Sequence, residues 1–378
     1  MRRNCRWIGI WLVLGGLAIP QVWAQSDSKI TKTIHRAFVL KEHSAVELSN
    51  KYGQVIVNTW DADSAVIRVE ISGYGKSGDS MDKLINRVDV DFDHFGSVLS
   101  AETIFDRNSS VVSQMWNSIS DYSKNLVSKN KISVDYEVFI PRKCKLDVTN
   151  RYGDLFVDQF WGDARIDVSH GDLQIHELRG KSKVYLSYGK GRFNKLSDAY
   201  LELKVAEAYV EEGSILSIES YTSEINLDRA KSVKLNSKND NLQIGQVMAL
   251  RGTATFTDIK IDSMSDRVDL TLNYGACTIN HINPNFGSVA VQSKHADINF
   301  TFGVGSYFQA EIKGKEDQIY LTNSFRGMDK AYDIETKEVI ILTGDIGIYK
   351  GKKSKVNIEG TGGDIYLFLE ESGMSRKK

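Results

Sequence analysis

The stretch TNRYGDLFVD, residues 149–158, has a near-copy in SNKYGQVIVN, residues 49–58. Gly53 and Gly153 hold the same slot in the two copies. Both read as a small residue, a polar one, then apolar residues two apart. That is strand periodicity with one face buried. The same pattern recurs in weaker form along most of the chain. From Gly153 the small slot returns at Gly171, Gly189, Ala206, Ser223, Asp240, Thr257, Gly275, Ala296 and Asp317. The spacings are 18, 18, 17, 17, 17, 17, 18, 21 and 21 residues. Gly344 before DIGI and Gly363 before DIYL read as closing copies, and Gly53 as an early outlier.

A period this regular is the mark of a repeat architecture. Each unit carries alternating pairs such as Leu155/Val157, Leu173/Ile175 and Ile259/Ile261 after the slot. Another apolar column precedes the slot by five residues, at Val148, Ile166, Val184, Leu201, Ile218 and Leu235. Each unit is therefore two short strands meeting at a corner. The corner glycines Gly153, Gly171, Gly189 and Gly275 are expected at positive φ, with Asp240 visiting that region less readily. Two short strands cannot bury their own apolar face, but stacked units can. The expected fold is all-β: a single-stranded parallel β-helix or β-solenoid of 17–18-residue coils, with an N-terminal β-rich segment. An antiparallel sandwich is the runner-up. It would call for Asn-Gly or Asp-Gly hairpin turns between strands of opposite direction, where here one corner recurs in one direction.

The chain has 378 residues. Residues 1–24 read as a secretory signal peptide, with Arg2, Arg3 and Arg6 ahead of the apolar run 7–19 and cleavage expected between Ala24 and Gln25. Losing those three arginines leaves 45 basic residues against 49 acidic, a net charge of −4. That balance is no footprint for nucleic acid. No later segment is apolar for long enough to span a bilayer as a helix. Residues 25–140 read as the β-rich segment, with a short helix over 79–88 and a helical or flexible insertion at 106–130. Residues 141–370 read as the repeat array, interrupted at 322–340, and 371–378 as a polar tail. Cys144 and Cys277 form no disulfide framework.

Two columns flank the slot. The residue before it is often aromatic or histidine: Tyr152, His170, Tyr188, Phe256, Tyr274, His295. Stacked in register, these make either a ladder that stabilises the corner or a strip that binds sugars. The residue after it is often acidic, with Asp154 and Asp172 about one strand spacing apart. Such a pair could hold Ca²⁺ or act on a glycan, but solvated outward carboxylates need neither reading. No HExxH, His-x-His, GxSxG or Walker pattern occurs. No catalytic, metal or cofactor residue is assigned. The candidate binding residues are Tyr152, His170, Tyr188, Tyr274, Asp154 and Asp172.

The segments LSNKYGQVIVNTW (48–60), VTNRYGDLFVDQFW (148–161), SHGDLQI (169–175) and YEVFIPRKCKLDVTNRYGDLFV (136–157) resemble the putative adhesin family of unknown function, also called toast-rack repeats. The resemblance covers most of residues 30–370. It implies an exported bacterial β-solenoid of the periplasm or cell surface, with adhesion or envelope-stress sensing as suggested roles and no catalytic residue to carry over. The function expected is thus a non-catalytic adhesin-like binding or scaffold module of the cell envelope. Its partner would be a polysaccharide or an envelope protein. The rivals are a carbohydrate-active β-helix enzyme, lyase or hydrolase, and an envelope-stress-related structural protein.

Overall fold

The computed structural model describes residues 28–40, 43–75, 82, 85–105, 131–333, 338–348 and 353–371. The leader, half of the helix expected over 79–88, the insertion at 106–130 and the end of the tail lie outside the described residues. What is described is almost wholly strand, and most strands pair in parallel, as the repeat requires.

Each coil has two strands joined at the corner, so the molecule is two parallel sheets facing each other. The first sheet holds the strands that lead into the corner. It runs Ala45–Lys51, Lys145–Arg151 and Ala164–Ser169, then through residues 182–187, 198–204, 215–221, 232–238 and 249–255. The second sheet holds the strands that lead out: Val55–Trp60, Leu155–Phe160, then 173–178, 190–196, 207–213, 224–230 and 241–247. Alternate residues of both sheets face inward, so Val148, Ile166, Val184 and Leu201 meet Leu155, Ile175, Phe193 and Val210 in one buried core. Each such side chain contributes about 2 kcal/mol on burial. The stack, rather than any single coil, supplies that core.

The early outlier at Gly53 is a full coil. Residues 45–51 pair with 145–151 and residues 55–57 with 155–157. The chain then turns away from the array. Lys131–Pro141 continues the second sheet beyond Val55–Trp60, followed by Ser64–Gly75 and Ser28–Val39, both antiparallel. Val98–Phe105 and Val88–Phe95 extend the first sheet. These outer edges lean together, with Lys32 Nζ 3.1 Å from Asp89 and the Phe38 and Phe92 rings 6.0 Å apart.

The other end repeats the device. Ser288–Phe302 is followed in space by Ser354–Thr361 and Ile365–Leu369, not by the next strands in sequence. Phe308–Lys315 and Ile319–Leu321 lie outside that last coil. The apparent copy at Gly344 is not a corner: Val339–Ile346 runs antiparallel to Phe308–Lys315 as an outer cap.

The corner geometry differs from the expectation in one respect. Among the corner glycines named above, only Gly275 has positive φ, +100°. The left-handed residue is the one before the slot: Tyr152 at 58°, His170 at 56°, Tyr188 at 57°, Asn239 rather than Asp240 at 60°. The slot needs glycine for closeness. A Cβ on Gly153 would lie 1.9 Å from the Gly53 carbonyl oxygen, and one on Gly171 2.0 Å from that of Gly153. Cys144 and Cys277 are buried free thiols. Trp60 and Trp161 are held at coil edges: Trp60 Nε1 donates to Ser64 O at 2.8 Å, and Arg179 lies 4.7 Å over the Trp161 ring.

Candidate functional site: the corner ridge

The corners stack in register, so the residues around them form one ridge along the molecule. Every corner from Tyr52 to Asn239 donates its N–H to the strand of the next coil, as from Tyr152 to Ser169 O at 2.9 Å and from Tyr188 to Lys204 O at 3.0 Å. Left-handed backbone costs an L-residue roughly 1–2 kcal/mol. A stacked aromatic pair returns about 0.5–1.5 kcal/mol. Where rings occupy the corner, the two nearly cancel.

The rings do form a ladder. Tyr152 and His170 stack with centroids 4.9 Å apart at 4°, and His170 and Tyr188 at 4.8 Å and 3°. Tyr52 extends the run at 5.5 Å from Tyr152. Tyr274 belongs to a second run, stacked between Phe256 at 4.8 Å and His295 at 5.1 Å. Most ring faces are therefore covered by a neighbouring ring, and edges face solvent. Tyr188 is 56% exposed and Phe256 55%.

Asp154 and Asp172 sit one coil apart. The Asp172 N–H donates to Asp154 Oδ1 at 2.8 Å, and the Lys190 N–H to Asp172 Oδ1 at 2.9 Å. Asp297 does the same for the Asp364 N–H. These carboxylates thus bridge coils by charge-assisted bonds to backbone. Among the described residues no group of three or more His, Cys, Asp or Glu side chains is arranged to hold a metal ion.

Between the two ring runs the corner residues are Val205, Thr222 and Asn239. Three missing rings leave a trough of about 760 Å³ between Tyr188 and Phe256. Glu207, Glu224, Asn241 and Asp258 form one wall, and Lys190 closes it at an ion pair of 2.8 Å with Glu207. The Lys190 ammonium is held above its ordinary pKa by its hydrogen bond to Glu207 and then by that carboxylate's charge, with Asp172 and Glu224 adding to it. Beneath the trough lies a buried polar thread. Asp240 accepts from Ser220 Oγ at 2.6 Å, Ser223 N at 2.6 Å and Lys238 N at 3.0 Å. At the far end of the ridge Lys51 lies 4.9 Å over the Tyr52 ring. Its pKa is lowered to about 8 by burial and, second, by Arg151. The Tyr52 phenol is pushed up to about 12 by burial and by Tyr152.

The sequence columns placed Tyr152, His170 and Tyr188 together and put Tyr274 on the same ridge, in its own run. They did not single out Val205, Thr222 and Asn239. The signal was present as a lapse: the aromatic column falls silent for three consecutive coils. A second groove of about 640 Å³ crosses the outer face of the first sheet, past Ala164, Arg165, Ala199, Tyr200 and Ile215.

No family model matches the chain, and no curated protein matches it. Solved structures do align with it over long spans. A putative cell adhesion protein from Clostridium sporogenes is 10% identical, with 90% of this chain and 100% of that chain covered and a TM-score of 0.18. A putative adhesin from Parabacteroides distasonis is 12% identical over 71% of this chain and 94% of its own, with a TM-score of 0.30. A putative lipid binding protein from the same species is 11% identical over 89% and 96%, with a TM-score of 0.27. At such scores the likeness carries no part of the fold argument, which rests on the strand pairing. No helix among the described residues is long and apolar enough to cross a membrane.

Proposed function

We propose that the mature chain is an exported, non-catalytic β-solenoid that serves as an adhesin-like binding or scaffold module of the cell envelope. Its contact surface is the corner ridge, and its partner an envelope polysaccharide or protein. The observation that carries this reading is the registered ridge itself: Tyr152, His170, Tyr188, Tyr274, Asp154 and Asp172 all fall on one line, with an open trough in the middle of it. Many equivalent weak positions on a rigid line act by avidity. The non-catalytic part of the reading is supported by the carboxylates: Asp154 and Asp172 are each engaged with the backbone of the next coil.

The test is an array of envelope polysaccharides probed with the mature protein, with and without Ca²⁺, following product release on every hit. The expected result is binding without cleavage, weakened at least tenfold by Tyr188→Ala combined with Glu224→Gln. Product release would overturn the non-catalytic reading. Binding that ignores the ridge variants would overturn the ridge.

A further inference from the structure

The two outer faces of the stack carry opposite charge. On the seven coils from Tyr152 to Phe256, the outward positions of the second sheet are the second, fourth and sixth residues after each corner residue. They hold nine carboxylates and three bases, a net charge of −6. The outward positions of the first sheet are the first, third and fifth residues before the corner. They hold four carboxylates and seven bases, a net charge of +3. The trough between Tyr188 and Phe256 opens on the acidic side, with Glu207, Glu224, Asn241 and Asp258 as its wall. A second groove, of about 330 Å³, follows the same wall on the sheet side, past Phe156, Tyr209 and Asn226. A field of one sign over a cleft gathers ligands of the other sign and turns away its own.

The carboxylates of the wall are not equally engaged. Glu207 is ion-paired with Lys190 at 2.8 Å. Asp154 and Asp172 accept from the backbone of the next coil. Among the described residues, Glu224 and Asp258 have neither an ion pair nor a side-chain hydrogen bond. They stand two coils apart, about 10 Å by strand spacing, with Asn241 between them. That spacing selects among cationic polymers. An extended peptide shows side chains on one side every 6.8 Å or about, out of step with the coils. A chain of 1,4-linked pyranose rings advances by close to one strand spacing per ring, and alternate rings present the same edge. Amino groups on such a chain recur with the period of Glu224 and Asp258. The rings of Tyr188 and Phe256, each more than half exposed, add apolar flanks at the two ends.

We propose that the trough and the acidic face beside it take a glycan chain of free amino sugars, with ammonium groups on Glu224 and Asp258. The proposal rests on the reading of the ridge as the contact surface and names the glycan class for it: amine-bearing, and free of uronate and phosphate groups. Lys190 is the competing cation already in place, at the Tyr188 end of the wall.

Titration calorimetry of the mature protein with three 1,4-linked tetramers tests it: glucosamine, N-acetylglucosamine and glucose. The pH is about 5.5, above the ordinary carboxylate range and low enough to charge a sugar amine. The glucosamine tetramer should bind at least tenfold more tightly than the other two, and more weakly as salt rises. Glu224→Gln and Asp258→Asn should each weaken it at least threefold. Lys190→Gln, which frees Glu207, should tighten it at least threefold, a gain that no loss of folding can produce. Equal binding of the three tetramers would overturn the proposal, and so would a Lys190→Gln variant that binds no better. A linear polyamine that binds as tightly as the glucosamine tetramer would overturn the glycan. Self-association at low salt that displaces the tetramer would give the acidic face to the basic face of a second copy instead. The two readings fail separately. A neutral polysaccharide whose binding is lost with Tyr188→Ala and Glu224→Gln combined would sink the amine and leave the ridge standing. Glucosamine binding that is lost with Asp258→Asn yet ignores Tyr188→Ala would do the reverse.

Discussion

Glycine at the corner is held by the neighbouring coil, and that makes its replacement expensive. Gly153→Ala places a methyl 1.9 Å from a backbone oxygen that cannot move without its whole coil. The expected loss is about 3 kcal/mol in urea unfolding. Gly96→Ala is the control: at φ +63° with nothing within 4 Å of the added carbon, it should cost only about 1 kcal/mol. Val205 is the opposite case, a β-branched residue at φ 50°. Val205→Asn should stabilise by about 1 kcal/mol, since Asn239 already fills the same position two coils on. Burial pushes the Cys144 and Cys277 thiols from 9 up to about 12. A raised folded pKa adds stability that is complete below pH 9 and lost as pH rises toward 12. Each thiol should add about 1.4 kcal/mol per pH unit to the alkaline decline. Denaturant midpoints above pH 9 should fall less steeply in Cys277→Ala than in the wild type. At this scale the sequence placed the glycines correctly and missed their reason. Positive φ and close approach both select glycine, and only the stacked neighbour tells them apart.

The coil was legible because its buried positions alternate and its corner repeats, both local signals. The order of coils at the ends was not. Gly344 and Gly363 precede nearly the same residues, DIGI and DIYL, yet one lies in an antiparallel cap and the other in a parallel coil. Pairing partners at long range decide between them, and no local pattern carries that information. Ser354–Thr361 and Ile365–Leu369 lie between Ser288–Phe302 and the cap. Truncation after residue 347 should therefore strip the cap of both its parallel partners. Hydrogen exchange should show residues 308–346 unprotected while 145–282 keep their protection. A cap that redocks on 288–302 and stays protected would contradict this assignment.

Taken whole, the chain is a two-sheet stack whose two ends are closed by strands that run outward and then return. Among the described residues, the ridge is a line on which successive coils from Tyr52 to His295 each present a left-handed corner. The trough was written in the sequence only as three missing rings, since a column is read by what it contains. The most direct test of the ridge as the working surface is hydroxyl-radical footprinting of the mature protein, alone and then with any envelope polysaccharide that the array shows it to bind. Protection of Tyr188, Tyr221 and Phe256, with Tyr209, Tyr320 and Tyr332 unchanged, is the expected result. Protection confined to Tyr200 and the outer face of the first sheet would contradict it.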